Sequence, residues 1–304
     1  MTDRAFCVVR AGALTSVQDE GRPGHAHLGV PRSGALDLPA SRLANRLVGN
    51  PPGAAVLETT LNGCAVRPRR AVTVAVTGAP CPVAVDGRPA AWGAAVRVPA
   101  GAVLEVGAAV RGVRSYAAFA GGIAVEPVLG SRSTDLLSGL GPAPLADGAV
   151  LPLGHPAEHY ARVDAAPAPG PPRELVLRML PGPRSDWFTE HAFAALATGR
   201  YRVSAASNRI GLRTVGPALE RAVHGELPSE GMVWGAVQVP PDGRPVVFLA
   251  DHPTTGGYPV VGVVAGADLA AAAQAAPGTP LRFVPVRRGP SSVRRRQERR
   301  RQEP

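Results

Sequence analysis

Between Val66 and Val125, turn residues break this chain about every ten positions, leaving room for short strands and little else. The apolar runs Val72–Val76, Val83–Val85, Val96–Val98, Val103–Val106 and Ser115–Ala120 alternate with Gly78-Ala79-Pro80, Asp86-Gly87, Pro99-Ala100-Gly101 and Arg111-Gly112. Pro presets φ and Gly permits φ > 0, so each cluster can reverse the chain. Gly and Pro number 36 and 33 in 304 residues and are spread along the sequence, so the same rhythm is expected beyond this stretch. The pattern predicts a mainly β, antiparallel protein with a few short helices.

The same logic applies from Pro228 to Val264. Val233–Val239, Val246–Ala250 and Val260–Val264 are three short apolar runs, and Pro240-Pro241-Asp242-Gly243 turns between the first two. Asp251 stands where the second run ends, so a buried strand anchors a single carboxylate, as a general base or an orienting group requires. Thr254 and Thr255 add hydroxyls. Gly256 and Gly257 let backbone N–H groups come close to an anion. These residues equally suit an Asx-capped hairpin with no ligand. For a base, Asp251→Asn should cost rate, about 10²–10⁴-fold, and leave stability nearly unchanged.

Elsewhere, Ala5–Leu14 reads as one strand, followed by a polar loop running to Asp37. His25 and His27 in that loop lack a clear third partner, so no metal is assigned. Asp37 before Leu38-Pro39 is a helix start, and Leu43, Leu47 and Val48 share one face before Gly49 ends it. Glu58 lies inside the apolar strand Val56–Leu61, where a carboxylate has either a perturbed pKa or an arginine partner. Ser185 or Asp186 should cap a helix reaching Leu196, and Ala267–Ala276 should form another. Arg209 and Arg213 suit bidentate binding of a carboxylate or phosphate, or pairing with Glu220 or Glu226.

Composition removes several function classes. All 33 basic residues are arginine, so this chain has no Walker A loop, no Schiff-base lysine and no biotinyl-lysine. The net charge of +10 is concentrated: residues 287–304 hold eight Arg and two Glu, which is +6, leaving 10 − 6 = +4 for the remainder. The body thus lacks a nucleic-acid footprint, and the Arg-rich tail, 287–304, is expected to be disordered. Three scattered cysteines suggest neither a zinc site nor a disulfide framework. No run approaches the ~20 apolar residues of a membrane span, and Met1–Arg4 does not open a signal peptide, so a cytoplasmic location is expected. The linker Asp164–Pro172 is the natural boundary between a domain at 5–163 and a second at 173–286.

Several separate motifs, in order, resemble the biotin-dependent carboxyltransferase family. They are Thr15-Ser16-Val17-Gln18-Asp19-Glu20-Gly21-Arg22-Pro23-Gly24, Val30-Pro31-Arg32-Ser33-Gly34-Ala35-Leu36-Asp37, Gly130-Ser131-Arg132-Ser133-Thr134-Asp135, Ser207-Asn208-Arg209-Ile210-Gly211-Leu212-Arg213 and Ala250-Asp251-His252-Pro253-Thr254-Thr255-Gly256-Gly257-Tyr258-Pro259. That family includes KipA-like proteins, which form the C subunit of bacterial 5-oxoprolinase, and the carboxyltransferase region of urea amidolyase, also called allophanate hydrolase subunit 2. The resemblance implies two cyclophilin-like β-barrel domains. It implies an ATP-dependent opening of 5-oxo-L-proline to L-glutamate, performed with partner subunits A and B, one of them KipI-like. Asp251 would then be catalytic, and Thr254, Thr255, Gly256, Gly257, Tyr258, Gln238, Arg209 and Arg213 would contact substrate or anion. ATP would bind with the partner subunits, and biotin would not be covalently attached here. Two alternatives follow from the same resemblance: a biotin-dependent carboxyltransferase acting on urea or a related amide, and a non-catalytic antagonist of a kinase-inhibitor protein.

Overall fold

The computed structural model describes residues 3–156, 170–225 and 227–286. The Arg-rich tail and most of the expected linker lie outside the described residues. As the turn rhythm predicts, short strands dominate, with three α-helices: α1 (Leu38–Leu47), α2 (Glu190–Thr198) and α3 (Gly266–Ala273).

The strands of the first half form two sheets that share one core. One sheet has six strands in the order Val150–Pro152, Ala5–Arg10, Cys64–Pro68, Leu104–Val106, Val83–Val85 and Arg88–Ala90. The other has five, in the order Leu14–Gln18, Val56–Thr60, Arg114–Phe119, Val72–Gly78 and Ala95–Val98. Phe6 from the first sheet stacks on Phe119 from the second at 4.8 Å. The expected single strand Ala5–Leu14 is therefore two strands in different sheets. Gly12 divides them at φ +76°, against the Gly63 carbonyl, where no side chain fits.

The second half closes a seven-stranded barrel in the order Leu175–Pro181, Val260–Val264, Ala236–Gln238, Val246–Phe248, Gly211–Val215, Tyr201–Val203 and Pro280–Pro285. Closure leaves none of these seven strands at an edge. Leu175, Leu177, Val237, Val247, Val261, Leu281 and Phe283 fill it. Leu36 from the first half joins this core. A short two-stranded ribbon, Glu230–Gly231 paired with Thr255–Gly256, lies outside the barrel ladder.

The helices obey local rules. Asp37 caps α1, accepting from Ala40 N at 3.1 Å, with Pro39 in the first turn. The expected cap at Ser185 or Asp186 is corrected to Thr189, which accepts from Ala192 N at 3.1 Å. Ser185–Trp187 is a separate 3-10 turn without a side-chain cap, so the α-helix begins later. No helix among the described residues is long and apolar enough to cross a membrane.

Candidate functional site

Glu58, Arg209 and Asp251 converge where the two halves meet. Glu58 sits at the middle of its strand, between Ser16 and Tyr116 as register partners. Asp251 leaves the Val246–Phe248 strand, and Arg209 precedes the neighbouring Gly211–Val215 strand. Arg209 and Asp251 are 1% and 0% exposed. Arg209 donates to Asp251 through Nε at 2.8 Å and Nη2 at 2.9 Å, to Glu58 Oε1 through Nη1, and to Gly34 O through Nη2 at 2.7 Å. Burial alone would lower the Arg209 pKa; Glu58 and Asp251 outweigh it and hold the pKa above its ordinary value.

Asp251 is fully committed. Oδ1 accepts from Arg209 and from Ser33 Oγ at 2.9 Å, and Oδ2 accepts from Arg209 and from Leu136 N at 3.2 Å. Four donors match the roughly four lone-pair sites of a carboxylate. As placed, Asp251 orients Arg209 and Ser33 and offers no lone pair to an incoming proton. Ser33 Oγ also lies 2.9 Å from Thr134 O, so its single proton is shared between Asp251 and the Gly130–Asp135 loop.

From Glu58 the network continues into the first half. Tyr116 Oη donates to Glu58 Oε2 at 2.8 Å and accepts from Asp37 N at 2.8 Å. Burial first, and then Glu58, hold the Tyr116 pKa well above its usual value, so the hydroxyl keeps its proton and donates. Asp37 Oδ2 accepts from Gln274 Nε2 of the second half at 2.9 Å, and Gln274 Oε1 accepts from Val113 N and Arg114 N. Burial raises the Asp37 pKa and lowers that of Arg114. Asp37 and Gln274 line a cavity of about 440 Å³ between α1 and α3, together with apolar residues of both helices, Gly78, Gly170, Pro171 and Pro172.

The remaining expected site residues sit further out. Gln238, Val246 and Arg213 are successive register partners, so they form one row across the barrel's outer face. The ribbon carrying Thr255 and Gly256 lies against that row: a Cβ on Gly256 would come within 2.7 Å of Gln238 Nε2. Gln238 also donates to Tyr258 O at 3.2 Å, and the Tyr258 ring is 44% exposed. Gly257 has nothing nearer to its missing Cβ than Leu227 O at 3.3 Å. Thr254 O accepts from Met232 N at 2.8 Å.

Arg209 and Arg213, expected to act together, are separated. Arg209 turns inward before its strand starts, and Arg213 points outward within it. The expected pairing with Glu220 or Glu226 is replaced for Arg209 by Glu58 and Asp251. Residue 226 itself lies outside the described residues. No group of three potential metal ligands occurs among the described residues.

Sequence reasoning gives no role to Ser33, Tyr116, Gln274, Arg32 or Trp234. Tyr116 carries a usable sign, since it falls beside a strand carboxylate in an antiparallel pair. Arg32 packs its guanidinium over the Trp234 ring, 4.8 Å from the centroid. No sequence pattern joins these two.

The chain is similar to known proteins over most of its length. The family model described as carboxyltransferase domain, subdomain A and B, matches residues 28–285. The chain is 40% identical over 283 residues to the 5-oxoprolinase C subunit of Escherichia coli, covering 91% of this chain and 90% of that protein. It is 33% identical over 277 residues to the 5-oxoprolinase C subunit of Haemophilus influenzae, covering 89% and 88%. The crystal structure of the K. lactis urea amidolyase superposes with a TM-score of 0.86 at 31% identity. That match covers 93% of this chain and 19% of the other, so the chain spans under a fifth of the larger protein.

Proposed function

Since this chain belongs to the carboxyltransferase-domain family of subdomains A and B, we propose that it serves as a subunit of an ATP-dependent 5-oxoprolinase. With partner subunits A and B it opens 5-oxo-L-proline to L-glutamate. One observation carries the reading: the correspondence with the E. coli C subunit runs over nine-tenths of both chains.

The residues have a division of labour in this reading. The Thr254–Tyr258 loop contacts substrate, through the hydroxyls of Thr254 and Thr255 and the backbone of Gly256 and Gly257. A resonance-stabilised lactam is a poor electrophile, and donors aimed at its carbonyl oxygen would stabilise the developing charge. Glu58, Arg209 and Asp251 fix the root of that loop against the first half. Gln238 sets its height above the barrel. ATP belongs to the assembled complex. This chain has no lysine, and Arg209 at the loop root is spent on carboxylates.

Reconstitution tests the proposal. Purified chain, partner subunits, ATP and 5-oxoproline should release glutamate, while the chain alone should not. A complete assembly without turnover, or robust turnover by the single chain, would refute it. The likeness to urea amidolyase favours a second reading, in which the chain receives a carboxyl group from a biotin carrier and passes it to an amide. Such a carrier must be a separate chain, and affinity capture that returns a biotinylated protein in place of subunits A and B would decide for it.

A further inference from the structure

The substrate of the proposed reaction carries a carboxylate beside its lactam ring, and a site that selects it needs a cation with free donors. Near the Asp251–Tyr258 segment most arginines are already committed. Arg209 is buried on Glu58, Asp251 and Gly34 O. Arg184 is paired with Glu230 in the two-stranded ribbon. Arg221 donates to Val239 O at 2.8 Å, and its unpartnered Nε is buried away from solvent. Arg22 is 1% exposed and donates to Ser133 O, and its unpartnered Nη1 is likewise buried.

Arg32 is different. It has no carboxylate within 4 Å among the described residues, and its one hydrogen bond is a long contact of 3.5 Å from Nη2 to Glu20 O. It is nevertheless held in place. Its guanidinium lies over Trp234, an arrangement that orients the plane while leaving its N–H edges available. The Trp234 Nε1 beneath it is buried and has no partner among the described residues.

The contact is bracketed by the motif loop on both sides. Ser33, the next residue after Arg32, donates its N–H to Ala250 O at 2.9 Å and its hydroxyl to Asp251. Met232, two residues before Trp234, donates to Thr254 O at 2.8 Å. Arg32 therefore stands beside the strand end and loop that carry Asp251 and Thr254, although it comes from the other half of the chain.

We propose that Arg32, stacked on Trp234, is the binding residue for the substrate's carboxylate; this rests on the 5-oxoprolinase reading above. Arg213 is the competing cation. It is exposed on the barrel's outer face and has no stacking partner among the described residues, so fixing it on a ligand would cost more side-chain entropy. A planar guanidinium held on an indole loses less, and it meets a carboxylate with two parallel hydrogen bonds.

The test uses the complex reconstituted with partner subunits and ATP, with 5-oxoproline and its uncharged amide as paired substrates. Arg32→Gln should raise KM for 5-oxoproline by roughly 10- to 100-fold, the loss expected for a charged hydrogen bond, with kcat little changed. The KM for the amide should stay the same. Arg32→Lys should recover part of the loss, and Arg213→Gln should have little effect. The half-buried position predicts an unchanged melting temperature for Arg32→Gln. A KM for 5-oxoproline that does not move in an active complex overturns the assignment to Arg32 and leaves the function standing. An equal loss on both substrates makes Arg32 a structural residue and also overturns it. A large effect at Arg213 alone moves the carboxylate site to the outer face. A wild-type complex with no turnover removes the 5-oxoprolinase reading, and this proposal with it.

Discussion

Replacing Asp251 with asparagine keeps the outline of the side chain and removes its charge. In the folded protein four donors point at this carboxylate: Arg209 Nε and Nη2, Ser33 Oγ and Leu136 N. An amide accepts on one side only, so two of those donors would face an N–H₂ group. Arg209 and Arg114 would then have Glu58 as their one ion-pair partner among the described residues, beside an Asp37 whose pKa burial has raised. Removing one partner of a buried ion pair costs about 3–5 kcal/mol. That is a large fraction of a typical folding free energy of about 5–15 kcal/mol, and it translates to a melting-temperature drop on the order of 10 °C. Thermal and urea denaturation followed by circular dichroism will measure it. The sequence alone leads to the opposite expectation, a lost rate with stability intact. A melting temperature within about 2 °C of wild type, with turnover per folded molecule down by about 100-fold, would refute the structural reasoning and restore the base role.

Three further outcomes are expected. Tyr116→Phe strips Glu58 Oε2 of a donor and Asp37 N of its acceptor, and should destabilise by about 1–3 kcal/mol in urea titration; no change would mean water replaces the hydroxyl. Gly34→Ala puts a Cβ 2.8 Å from Gly21 N at φ +97° and displaces the carbonyl that Arg209 uses, so urea titration should show a loss of folding free energy larger than the ~1 kcal/mol that Gly→Ala adds at a compatible site. Burial holds the His252 pKa below its ordinary 6.5, so the unfolded chain takes up the proton first; this stability is present above pH 6.5 and is lost as pH falls from there, and His252→Phe, which keeps the stack on Phe248, should flatten the melting profile over that range.

Local signals carry much of the fold. The Asp37 cap, the strand at Val260–Val264 and the placement of Asp251 at a strand end follow from residue order within a few positions. Glu58 stands out because a carboxylate in an apolar strand needs a partner. The identity of that partner is invisible in sequence: Arg209 lies 151 residues away, and nothing in either segment names the other. The same limit separates Arg209 from Arg213, since four residues of sequence do not reveal that the strand begins between them. The first strand reads too long because Ala11 and Ala13 look as apolar as their neighbours, and only the approach of Gly63 makes Gly12 a divider. Arg32 and Trp234 meet across 202 residues, a contact that only the folded chain supplies.

The Glu58–Arg209–Asp251 cluster also constrains how such a chain can be divided or recombined. Glu58, Ser33 and Gly34 come from one half, and Arg209 and Asp251 from the other, so each half produced alone would expose or bury an incomplete set of ions. A chimera joining this N-terminal half to the C-terminal half of a relative should assemble only if the imported half presents an arginine and an aspartate at the matching positions. Polarity at this seam thus works as a pairing code, and the order of events follows from it: neither half can finish drying its inner face before the other arrives.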